Sequence, residues 1–179
     1  LQVDYSVDRR TLLTRIVQAF SITGLGFVTY PFIKAWIPSF DNTRSRDVDV
    51  ASLLPGEQKV VPWLGRNVVL IKRQPAAIEA LPGSTQRLKD PLSDASIQPV
   101  LAKNPYRSVR PELFVAFTNC THLGCEVVQK DDQFKCPCHQ SDYDGAGRVL
   151  EDAAAPRNLD VPNYRYLSNQ LIRLEQLDT

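Results

Sequence analysis

Residues 120–141 read Cys-Thr-His-Leu-Gly-Cys-Glu-Val-Val-Gln-Lys-Asp-Asp-Gln-Phe-Lys-Cys-Pro-Cys-His-Gln-Ser, and they hold all four cysteines and both histidines of the 179-residue chain. A lone cysteine is ordinarily a small buried hydrophobe. Six soft or imidazole ligands confined between Cys120 and His139 are not a scatter of such residues. They fall into two boxes, Cys120-Thr121-His122-Leu123-Gly124-Cys125 and Cys136-Pro137-Cys138-His139-Gln140-Ser141. Each box follows a run of strand character, Leu113 to Thr118 and Gln133 to Lys135. Both are therefore expected on loops at one end of a sheet, and paired Cys and His on two loops describe a metal site. A structural zinc module is one reading. It leaves Cys125 and Cys138 without a task, and the Cys-x-His and Cys-x-x-His spacings depart from the usual zinc-finger intervals. Haem attachment needs Cys-x-x-Cys-His, whereas Pro137 alone separates Cys136 from Cys138.

Outward from the boxes, short β-rich runs alternate with turn signals. They are Lys59 to Trp63 and Asn67 to Lys72 around Leu64-Gly65-Arg66, Glu126 to Gln129, Arg148 to Leu150, and Arg165 to Leu167 with Leu171 to Leu174 around Ser168-Asn169. An antiparallel all-β head over residues 48–179 is the expectation. Residues 75–110, rich in Pro, Ala and charge, break the rhythm and predict a helix-and-loop insertion.

Residues 16–33 carry no charged side chain, and as a helix they span about 27 Å at about 1.5 Å per residue. Ala35, Trp36 and Ile37 complete a bilayer crossing, with Lys34 snorkelling outward and Tyr30 and Trp36 at interfacial positions. A buried core helix of this apolar length is uncommon, and no small-x-small cleavage site follows the run, so residues 1–37 read as a retained transmembrane anchor. Arg9, Arg10 and Arg15 precede the span, which places the N-terminus in the cytoplasm and the head across the membrane. Asp8-Arg9-Arg10-Thr11-Leu12-Leu13 also resembles a twin-arginine export signal, the route for folded, cofactor-loaded domains. Residues 38–47 are mostly polar and aperiodic, and predict a flexible hinge linker. The formal charge is only +1, and its basic bias lies in residues 1–47, so no basic face for nucleic acid is indicated.

The two boxes resemble those of the Rieske proteins, and the wider chain resembles the iron-sulfur subunit of bacterial ubiquinol-cytochrome c reductase. The likeness includes the arginine pair, the anchor, the linker, Asn104-Pro105-Tyr106, Arg110-Pro111-Glu112, and Asp142-Tyr143-Asp144 after the second box. It implies an all-β Rieske-type head with a [2Fe-2S] cluster-binding subdomain, Cys120 and Cys136 on the inner iron, and His122 and His139 on the outer iron. Histidine in place of two cysteines raises the potential into the range of roughly −150 to +300 mV. Cys125 and Cys138 are similar to the family's disulfide pair, tenable in an oxidising compartment such as the periplasm. Ser141 and Tyr143 match positions whose hydroxyls bond a bridging sulfide and the Cys120 sulfur, and Leu123, beside the first histidine, is expected to pack against the docking surface.

The resemblance further implies respiratory electron transfer. Quinol, bound in a cytochrome b subunit, gives an electron and a proton through His139, and the head then swings to a cytochrome c-type haem subunit in a dimeric complex of the bacterial inner membrane. The Rieske subunit of arsenite oxidase has similar boxes and is the nearest alternative. Two positions depart from the family pattern. Gln140 stands where Gly is usual, and Asp152-Ala153-Ala154-Ala155-Pro156 replaces a Gly-Pro-Ala-Pro loop that shields the cluster, keeping only Pro156.

Overall fold

A computed structural model describes residues 8–36, 44–84, 87–130 and 132–176. The chain divides into two compact units, 1–42 and 43–179. In the first, α1 (Arg9–Trp36) runs for 28 residues, about 42 Å at about 1.5 Å per residue. Its apolar window has a mean hydropathy of 1.5, and none of that window is buried in protein. Three of its hydroxyls are turned back onto the helix itself. Thr14, Thr23 and Thr29 each donate to the carbonyl four residues earlier, on Arg10, Ala19 and Leu25. The helix is thus longer than the predicted uncharged core, because Arg9 to Arg15 extend it N-terminally.

The second unit is the antiparallel β head, whose described residues form three three-stranded sheets. The central sheet joins β2 (Gln58–Trp63), β3 (Arg66–Lys72) and β4 (Leu113–Phe117) in that order. Leu113-Phe114-Val115-Ala116-Phe117 is apolar at every position, and accordingly every β4 residue is buried. The middle strand β3 carries the core, with Val68 to Ile71 all buried and Val69 opposite Ala116 of β4. A smaller sheet of β5 (Val128–Lys130), β6 (Gln133–Lys135) and β7 (Asp142–Tyr143) carries the two boxes. Phe134 of β6 packs on Phe114 of β4 at 5.8 Å between ring centroids, so the box-bearing sheet shares the main core. The described residues of the 75–110 stretch form the predicted insertion and include a short helix, α2 (Pro75–Ala80), and a 3-10 turn at Val100–Ala102.

The third sheet corrects the predicted linker. β1 (Ser45–Asp49) pairs with β9 (Leu171–Glu175), which in turn pairs with β8 (Asn163–Tyr166). Ser45, Arg46 and Asp47 are therefore strand, not linker, and the head starts three residues earlier than 48. Their polarity has a different cause. Asp47 faces Arg173 across the ladder, and the guanidinium donates to both carboxylate oxygens at 2.5 and 2.8 Å, while the next residue, Val48, opposite Ile172, is buried. Predicted-linker residues 38–43, together with the side chain of Trp36, lie outside the described residues.

Candidate metal centre

The first box grows from the end of β4. The Asn119 to Glu126 bridge closes its base, the Cys120 N–H donates to the Cys125 carbonyl at 2.7 Å, and the Gly124 N–H donates to the Cys120 carbonyl at 2.9 Å. The second box is the loop between β6 and β7, closed by the Cys136 N–H on the Ser141 carbonyl at 2.9 Å. These closures turn each box into a rigid loop, and a disulfide between Cys125 and Cys138 ties the two together with their Cα atoms 6.6 Å apart.

With that bond made, the free cysteines are Cys120 and Cys136, only 3% and 2% exposed. His122 and His139 are exposed, and their rings meet edge to face at 4.8 Å between centroids. Two buried thiols and two exposed imidazoles thus remain on the tied loops. The sulfurs of Cys125, Cys136 and Cys138 also lie within 4.8 Å of one another. That proximity reflects the disulfide, since two of the three sulfurs are already spent in it, and it adds only Cys136 to the donors. The remaining set, two sulfur and two nitrogen donors, matches the chemistry that a Rieske [2Fe-2S] cluster requires.

The surroundings of Cys120 favour thiolate. Burial pushes its pKa up, but hydrogen bonds from Tyr143, from the His122 backbone, from Cys136 and from Ser141 outweigh it and hold the thiol below its ordinary value. Tyr143 is fully buried, and its hydroxyl lies 3.2 Å from the Cys120 sulfur. Burial, reinforced by Cys120, pushes the phenol up, so it keeps its proton and is the donor. The Thr121 N–H donates to the same phenolic oxygen at 3.3 Å, and the Thr121 hydroxyl oxygen also lies 3.3 Å from it. Ser141 is likewise fully buried, and its oxygen accepts the Ala155 N–H at 3.0 Å. Leu123 projects beside His122 with 69% of its surface exposed.

Gln140 has φ of +52°, in the left-handed region where a Cβ costs roughly 1–2 kcal/mol. Gln140→Gly is expected to relieve this. Against the entropy that glycine adds to the unfolded chain, the net gain is up to about 1 kcal/mol. Chemical denaturation of the head checks it, and a loss of stability would mean that the glutamine side chain contributes more than its backbone costs.

The sequence pointed to the six box residues, Ser141 and Tyr143, but not to the layer behind them. Thr121 donates to the Arg157 carbonyl at 2.6 Å, joining the first box to the loop that follows Pro156. Asn158, fully buried, donates to the Asp90 carbonyl and the Ser93 hydroxyl and accepts from the Val149 N–H. The buried turn after the second box needs glycine at 147. With φ of +67°, a Cβ there would meet Phe114 at 3.0 Å and Leu159 at 3.2 Å.

A family model described as "Rieske [2Fe-2S] domain" matches residues 44–165. The ubiquinol-cytochrome c reductase iron-sulfur subunit of Allochromatium vinosum is 35% identical, over 92% of this chain and 86% of that protein. The proteins of the same name in Rickettsia conorii and Bradyrhizobium diazoefficiens are 31% and 30% identical, over 89% and 93% of this chain and equal shares of their own. These matches run through the anchor and the head alike. The chain belongs to the Rieske [2Fe-2S] family, among the iron-sulfur subunits of ubiquinol-cytochrome c reductase.

Proposed function

We propose that Cys120, His122, Cys136 and His139 hold the one [2Fe-2S] cluster of this membrane-anchored respiratory electron-transfer subunit, and that the subunit carries electrons from quinol at a cytochrome b site to a cytochrome c-type haem. The observation that carries this reading is the division of the donors: two buried free thiols and two exposed, touching imidazoles on loops joined by a disulfide. When bound, the cluster supplies one-electron redox chemistry. The chain's own residues supply the rest. The sulfurs of Cys120 and Cys136 anchor it from the core side. The exposed imidazole of His139 accepts the hydrogen bond of a docked quinol and takes its proton at the outward nitrogen. Leu123, apolar and exposed beside the first histidine, offers the docking surface of cytochrome b an apolar contact.

The arginines at 9, 10 and 15 orient the anchor with its N-terminus in the cytoplasm and the head in the periplasm of a bacterium. The Cys125–Cys138 disulfide is consistent with that compartment. Coupling proton release at His139 to electron transfer makes the dimeric complex a translocase.

Addition of quinol to membranes holding the complex tests the reading. It should bring up the resonance of the reduced cluster and then reduce cytochrome c, whereas a cluster that dithionite reduces and quinol does not would overturn it. Tyr143→Phe is expected to assemble normally and to lower the midpoint potential. A hydrogen bond worth about 1 kcal/mol more to the reduced state corresponds to about 40 mV for one electron. Redox titration of the resonance checks this, and an unchanged potential would remove Tyr143 from the sulfur's hydrogen-bonding partners.

A further inference from the structure

The loop Asp152-Ala153-Ala154-Ala155-Pro156 lies against the boxes. Pro156 fixes its own φ and restricts Ala155, and the Ala153 N–H donates to the Leu150 carbonyl at 3.1 Å, but no side chain of the three alanines holds the loop's curvature. Ala153 and Ala155 are nevertheless buried. On its inner side the loop is bonded to both boxes, through the Ala155 N–H on Ser141 at 3.0 Å and through Thr121 on the Arg157 carbonyl at 2.6 Å. From the insertion, the Lys89 ammonium donates to the carbonyls of Ala153 at 2.6 Å and Ala155 at 3.0 Å.

Two carbonyls two residues apart converge on one cation, which fixes the curvature that the alanines do not. Lys89 is itself held. Its N–H donates to the Val149 carbonyl at 3.0 Å, Leu88 bridges Leu150, and the Glu151 N–H donates to the Arg87 carbonyl at 3.0 Å. The next turn is capped by the Asp90 carboxylate, which accepts from the N–H groups of Asp94 and Ala95 and from Ser96, and Asn158 ties that turn to Val149. The insertion is thus a brace whose working end is one ammonium group.

We infer that Lys89 is the positioning residue of the cluster-covering loop, taking over by hydrogen bonding the rigidity that its alanines lack. The inference rests on the ligation reading for its effect on the cluster. Its contact with the loop does not depend on that reading.

The full chain in detergent, as parent, Lys89→Met and Lys89→Arg, provides the test. Hydrogen exchange followed by mass spectrometry over residues 150–160 should accelerate about tenfold or more in Lys89→Met, while peptides of β2, β3 and β4 keep their protection. Lys89→Arg, which keeps a cation with several donors, should recover most of the slow exchange. Visible absorbance should show the cluster of Lys89→Met bleaching severalfold faster on warming. Unchanged exchange over 150–160 in Lys89→Met overturns the inference, and so does an equal rise throughout the head, which would make Lys89 a general stabiliser. Should Lys89→Met fail to accumulate, Lys89→Gln keeps one donor group and should exchange at an intermediate rate. A parental rate there overturns the inference equally. A parent without a Rieske resonance would instead sink the ligation reading and leave the exchange comparison valid.

Discussion

Replacing His139 by alanine is expected to leave the subunit without its cluster: no resonance after dithionite reduction, and iron at background level. The chain has two histidines, and the other, His122, is already committed in the proposed set. No neighbour of His139 can take over. Cys138 is spent in the disulfide, Pro137 has no donor atom on its side chain, and Gln140 offers only an amide. The fold should survive, because the head's core is built on β2, β3 and β4 and the boxes are closed by backbone bonds and the disulfide. Circular dichroism of the variant should therefore retain its β signature. An intact resonance in a correctly folded variant would remove His139 from the ligands.

The second large effect is kinetic and leaves the cluster alone. If the head visits two docking sites, the chain between anchor and head must be free to bend, and the finding that β1 begins at Ser45 shortens the segment available for this to residues before it. Asn42→Pro combined with Thr43→Pro, at two positions outside the described residues, fixes φ twice in succession and favours a semi-rigid extended chain. The resonance and midpoint potential should be unchanged. Steady-state cytochrome c reduction by quinol should fall severalfold or more. Equal rates in variant and parent would mean that the head need not swing through this segment, and the hinge would have to be placed elsewhere.

The boxes were legible because metal chemistry is written in residue type and short spacing, and the loop closures around Cys120 and Cys136 are local. β4 was legible for a similar reason, since five consecutive apolar residues specify a strand buried on both faces. What stayed hidden depends on partners far along the chain. Asp47 resembles a linker residue until Arg173 is beside it. Lys89 looks like any surface lysine, and only the fold brings it to Ala153 and Ala155.

Arg107 is the extreme case. It is wholly buried with φ of +48°, and it bonds the carbonyls of Ala146, Gly147 and Leu159 and the Gln98 side chain. Burial pushes its pKa down to about 10, with Asp144, Asp160 and Asp90 opposing, so it stays charged at neutral pH. No pattern in one dimension distinguishes such an arginine from an exposed one. Two of its carbonyl partners, on Ala146 and Gly147, lie on the turn after the second box, and the third, on Leu159, ties that turn to the chain beyond Pro156.

The ligand assignment is tested most directly by nitrogen hyperfine spectroscopy of the dithionite-reduced protein, grown with 15N-labelled histidine and analysed for metal. Histidine is present only at His122 and His139, so labelling reports on those two rings alone. The account predicts two iron atoms per chain and two distinct, strong histidine nitrogen couplings to a reduced [2Fe-2S] centre. Zinc in place of iron, or an iron-sulfur resonance without histidine coupling, would contradict it.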